Sequence, residues 1–181
     1  MWLFVRHIFQ LLLSPSRGWE DVSAQSFKPE AVQKDGFYPL IALTALSEFV
    51  PMAYAQGYGF VHALESAIAM GFAMFASLYL GRLFLDMTLA RFVNGELNMN
   101  KVDVCVTFMM GLNCLFCILN NVIPGDMTIL KLLPLISVIV LFKATAYLGV
   151  REDSQLNFLG LGIVAIIIIP LIVSNLLLFL I

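Results

Sequence analysis

The sequence predicts an all-α protein: a polytopic membrane bundle of five transmembrane helices with an amphipathic, interfacial helix at its N-terminus. Three observations predict it. Of the 181 residues, 61% are hydrophobic and only 12% are charged. Soluble domains carry about a quarter charged residues, so there is too little polar surface here to clothe a water-soluble globule. The apolar residues also gather into runs near the ~20 residues that a helix needs to cross a ~30 Å hydrocarbon core. Finally, lysine and arginine concentrate in alternate connections between those runs, the asymmetry that orients helices in membranes.

Composition also excludes several classes. The net charge is −2, and no basic run offers a phosphate backbone a binding surface, so no nucleic-acid partner is expected. The three cysteines, Cys105, Cys114 and Cys117, lie in one apolar run and are not a secreted disulfide framework. Cys114 and Cys117 form C-x-x-C on a predicted membrane helix without the strand context of a redox motif, and read as small packing residues. Arg6 and His7 interrupt the first apolar stretch, so no cleavable leader is expected.

The elements follow in order. Residues Met1 to Leu13 place Arg6, His7, Gln10 and Ser14 on one side at helical spacing. Trp2, Val5, Phe9 and Leu12 line the other side, with Phe4, Ile8 and Leu11 beside them. Thirteen residues reach only about 20 Å, so this helix should lie in the interface or cap the bundle. Residues 14–18 (Ser-Pro-Ser-Arg-Gly) read as a turn. Trp2 and Trp19 suit headgroup-level anchors, and Lys28-Pro29-Glu30 suits a short helix with proline in its first turn. Residues 1–36 thus form a cytoplasmic or interfacial region, and 37–181 a five-span domain.

The first span runs from Phe37 to Tyr54 and the second occupies Val61 to about Val93, closed by Asn94-Gly95. Asn100 with Asp103 resembles a capping box opening the third, Val102 to Val122. Pro124-Gly125-Asp126 turns the chain into the fourth, Thr128 to Gly149. Asn157 to Ile181 is the fifth, with no polar tail expected beyond it. Arg6, Arg17, Lys28, Lys34, Arg91, Lys101 and Arg151 then share one side and only Lys131 the other. The N-terminus is expected in the cytoplasm and the C-terminus outside.

Four ionisable residues fall within the spans: Glu48, Arg82, Asp86 and Lys143. Arg82 and Asp86, four apart on one helix, can pair, and Lys143 can snorkel or reach Glu48. Two acids and two bases permit a neutral cluster, either a knot that selects helix partners or a proton or ion pathway. His62 and Glu65 have metal-compatible spacing but lack further ligands nearby in sequence, so no metal is expected. Asn113, Asn120 and Asn121 suit interhelical hydrogen bonds. No nucleophile–base pair or phosphate cradle is visible.

One motif carries a family resemblance. Asp35-Gly36-Phe37-Tyr38-Pro39-Leu40 resembles the Asp-Leu-Tyr-Gly-Pro-Leu signature that opens the first span of the Yip family (Ypt/Rab-interacting proteins). Asp35, Tyr38 as the aromatic, Pro39 and Leu40 match, while the glycine and tyrosine are displaced. Pro15 and Trp19 resemble residues that precede the spans in bacterial members. The resemblance implies five spans, a cytoplasmic N-terminus and a non-enzymatic membrane scaffold, with no catalytic residue and no cofactor. It points to a bacterial inner membrane, with membrane lipid and other membrane proteins, or the chain itself, as partners. The competing expectation is a small transporter or channel subunit using Glu48, Arg82, Asp86 and Lys143.

Overall fold

In a computed structural model that describes residues 1–93, 98–124 and 133–180, the protein is all-helical, with no strand among those residues. Helix α1 spans Trp2–Leu13 and α2 Pro15–Ala24. Helix α3 runs Pro29–Ala53, α4 Phe60–Leu89, α5 Met99–Val122, α6 Leu133–Leu148 and α7 Glu152–Leu180. Four of these, α3, α4, α5 and α7, are long and apolar enough to cross a membrane. The apolar helix α6 covers part of the fourth expected span; residues 125–132, including Lys131 and the turn at Gly125-Asp126, lie outside the described residues, as do Asn94 and Gly95.

Local chemistry sets the helix starts. Pro15 and Pro29 occupy first turns, where a missing N–H costs nothing. The expected turn at 14–18 therefore shrinks to Ser14 alone (φ −147°, ψ 77°), and α2 begins at once. At α5 the cap is Asn98, whose side chain accepts from the Lys101 N–H at 3.3 Å, rather than Asn100. That frees Asp103 for a tertiary role.

Helix α5 is the axis. Every residue from Val102 to Leu112 is buried, because α3, α4 and α6 pack around it and α1 crosses it. Helix α7 is the outlier: only 17% of its most apolar stretch is buried, against 72% for α5.

The N-terminal helices dock into the bundle by close approach. The Phe4 ring stacks on Phe108 at 4.9 Å. A Cβ added to Gly36 would lie 2.5 Å from Phe4, and one added to Gly111 would lie 2.7 Å from it. Two glycines thus cut the seat for one ring. The face of α1 that turns inward is Phe4, His7, Ile8 and Leu11, while Trp2 and Phe9 are exposed. The face division expected from the sequence is rotated, and His7 lands in the core with Phe27 and Phe108 edge-on to it. Trp19 likewise is no headgroup anchor. It is buried, donates Nε1–H to the Val140 carbonyl at 2.9 Å and stacks on Tyr147. An indole finds that stronger partner because α2 lies directly on α6.

Candidate functional site

The in-span ionisable residues do not form one cluster. Arg82 on α4 pairs with Asp103 on α5, its Nε 2.7 Å from Oδ1, and not with Asp86, its helical neighbour. The N–H is not aimed at the oxygen, so the contact is an ion pair that leaves Oδ1 without a hydrogen bond. Asp103 is buried and Arg82 half-exposed. Asp86 is exposed one turn further along α4. Next to this centre, Gln33 donates to Thr107 Oγ1 at 3.4 Å, tying α3 to the same turn of α5.

Glu48 belongs to a second centre. Because α3 begins at Pro29, Glu48 lies near its far end. Asn121 at the end of α5 donates Nδ2–H to Glu48 Oε1 at 2.8 Å and to Ser47 Oγ at 3.0 Å. Ser47 passes its own proton to the Thr44 carbonyl at 2.7 Å, and Tyr54 donates to the Asn121 carbonyl at 2.8 Å. Among the described residues no cation pairs with Glu48. Lys143, its expected partner, is exposed and lines a cleft with Ser16, Trp19, Glu20, Ser23 and Tyr147.

The spacing of the centres has a physical reading. Asp103 and Asn121 are 18 residues apart on α5, or about 27 Å at 1.5 Å per residue. That is close to the thickness of a hydrocarbon core. Between them, Asn113 closes a third polar contact. Pro170 in α7 has no N–H to give the carbonyl four residues back, which is Ile166. Asn113 supplies the missing donor, Nδ2 to Ile166 O at 2.6 Å. The flanking turn Val164–Ile168 opens into a π-helix, as helices do at such interruptions.

The motif residues serve packing. Leu40 is buried, Pro39 stands in the first turn of the α-helical part of α3, and the Tyr38 and Tyr79 hydroxyls meet at 3.1 Å. Asp35 lines a small apolar cleft with Phe4 and Phe27. His62 Nδ1 and Glu65 Oε2 are 3.7 Å apart on an exposed turn, and no metal-sized group of ligands converges among the described residues. The cysteines are free, Cys105 and Cys114 buried and Cys117 half-buried.

Outside the spans, one titratable group is perturbed in a way that bears on docking. His7 is held below the ordinary histidine range, first by burial and then by the charge of Arg6, against the opposing pull of its Gln25 partner at 3.2 Å and of Asp21.

Asp103 and Ser47 were not legible as site residues: Asp103 reads as a cap and Ser47 as an ordinary polar residue. Asn121 is an interhelical hydrogen-bonder as expected, but its partners Glu48 and Ser47 were not legible. What singles them out is a neighbouring helix at the right rotation, which sequence spacing does not report.

The fold and these centres define an all-helical protein with four helices suited to crossing a membrane, in which several polar side chains join neighbouring helices. No protein-family model, curated protein or solved structure matches this chain.

Proposed function

We propose that the protein is a non-enzymatic, five-span membrane scaffold of the Yip type, in a bacterial inner membrane, with α1 in the cytoplasmic interface. The observation that carries this reading is the use made of the polar side chains. Arg82 and Asp103, Glu48 and Asn121, Asn113 and Ile166, and Trp19 and Val140 each join two helices. Groups arranged as a relay would instead follow one another across the bundle. The exposed Trp2, Phe9 and Leu13 supply an apolar face of interfacial size. The apolar helix α6 (Leu133–Leu148) is the fourth span in chain order and brings the count to five.

Purified protein in liposomes tests the proposal. It is expected to add no pH-dependent ion or proton flux to that of protein-free vesicles. A flux that Glu48→Gln abolishes while thermal stability is kept would replace the scaffold with a transporter. Reporter fusions test the orientation: one active only outside the cytoplasm should be silent after Gly95 and active after Ile181, and the reverse would overturn it.

A further inference from the structure

Helix α6 changes character along one stripe. Leu135, Ile139 and Phe142 are exposed at spacings of four and three, an apolar stripe suited to acyl chains. The stripe continues into Lys143 and Ala146, also exposed. There α2 lies against α6, and a cleft of about 400 Å³ opens between the two helices. Lys143 stands five residues before the end of α6 at Leu148, or about 7.5 Å at 1.5 Å per residue, within reach of the headgroup layer.

The walls of this cleft carry both signs of charge. Lys143 stands on the α6 side, and Ser16, Glu20 and Ser23 form one ridge on the α2 side, at spacings of four and three. Among the described residues neither Lys143 nor Glu20 has an ion-pair or side-chain hydrogen-bond partner, although they line one cleft. The Lys143 ammonium lies 5.9 Å from the centre of the Phe142 ring. Ser16 is in the first turn of α2, whose N–H groups no side chain caps, and such an end favours an anion. Trp19 holds the wall in place: it is buried, bonded to the Val140 carbonyl and stacked on Tyr147.

These features select an occupant that is both amphiphilic and zwitterionic. A soluble phosphate meets the charges but leaves the apolar stripe uncovered. An acyl chain alone covers the stripe but leaves Lys143 and Glu20 without partners. A phospholipid meets both. Its phosphate suits a lysine ammonium, and a primary ammonium has three N–H donors for a carboxylate and a hydroxyl, where a trimethylammonium has none.

We propose that the cleft between α2 and α6 binds the headgroup of an ethanolamine-type phospholipid. The phosphate lies on Lys143 and the Ser16 end of α2, the ammonium on Glu20 and Ser23, and the acyl chains along Leu135, Ile139 and Phe142. This rests on α6 being a membrane span, as proposed above, and holds for a scaffold and a transporter alike.

Trp2→Phe leaves Trp19, on the wall of the cleft, as the only tryptophan. The full-length protein with that change is placed in mixed bilayers in which one lipid has brominated acyl chains, which quench an indole in contact with them. At equal mole fractions, brominated ethanolamine lipid should win the place beside Trp19 over choline and glycerol lipids about fivefold, the scale of one charge contact at a membrane surface. Lys143→Gln and Glu20→Gln should each bring that ratio to about one at an unchanged melting temperature, and Lys143→Arg should keep it. Inorganic phosphate and soluble glycerophosphoethanolamine should not relieve the quenching. A ratio near one with the cleft intact overturns the inference whatever the variants do, as does a preference for the glycerol lipid. Relief of quenching by phosphate or the soluble headgroup makes the occupant a soluble phosphate instead. A preference that survives both Lys143→Gln and Glu20→Gln puts the lipid elsewhere. The reporter fusions after Gly95 and Ile181 test the span separately, since without α6 crossing the membrane both are silent.

Discussion

Asp103 and Glu48 are both buried carboxyl groups at ends of the bundle, yet they are satisfied in opposite ways. Asp103 faces a cation, Arg82, across an interhelical gap. Glu48 faces a neutral amide, Asn121, backed by Ser47. An ion pair removed from water is a high-stakes contact: both partners together can be neutral to stability, but either alone is an uncompensated charge. A carboxyl group hydrogen-bonded to an amide makes a smaller demand, since an isosteric amide can accept the same bond. The two ends of the bundle should therefore respond very differently to loss of charge.

The largest effect is expected at the ion pair. Arg82→Met strands Asp103 and should lower stability by about 1–3 kcal/mol. That is less than a fully buried pair would show, because Arg82 is half-exposed and partly screened. Adding Asp103→Leu should recover part of the loss, and thermal melts of the double-mutant cycle in detergent measure the coupling. Additivity of the two single variants would show that the pair does not act as one unit.

A smaller effect is expected at the other end. Asn121→Leu removes the donor to both Glu48 and Ser47 and should cost about 1–2 kcal/mol. Glu48→Gln should cost about 0.5 kcal/mol or less, since its amide oxygen can still accept from Asn121. A loss at Glu48→Gln as large as at Arg82→Met would point to a cation at Glu48 and erase the contrast between the ends.

The smallest effect is expected at a buried histidine outside the spans. His7 is held below its ordinary range, so the unfolded chain takes up its proton at a higher pH than the folded one. The stability from keeping His7 neutral is present above the ordinary value of about 6.5, and is lost as pH falls from there towards the folded value. Melting temperature should fall more steeply between pH 7 and 5 for the wild type than for His7→Phe. Parallel curves would show that α1 docking does not depend on the protonation of His7.

Much of this architecture is legible in the residues. Proline marked the start of α3, while α2 begins inside the stretch that reads as a turn, and apolar runs marked α4, α5 and α7. A run of apolar residues has one low-energy form in a bilayer, where every backbone group must find a partner within its own segment. Even Asn113 as an interhelical donor follows from that rule. Its acceptor, the Ile166 carbonyl left over by Pro170, could be reached from the spacing of four residues, but only once α5 and α7 are known to touch.

What the sequence by itself determined is the class: an all-α chain with helices that suit a membrane, because composition and run length act locally and admit few alternatives. What only the tertiary structure decided is which side chain meets which. Arg82 had Asp86 one turn away and took Asp103 instead. Glu48 took Asn121 rather than Lys143, and α1 turned His7 inward because Gly36 and Gly111 left room for Phe4. Those choices depend on the rotation and axial shift of one helix against another. A rotation of a few tens of degrees exchanges the partners while leaving every local signal in the sequence unchanged.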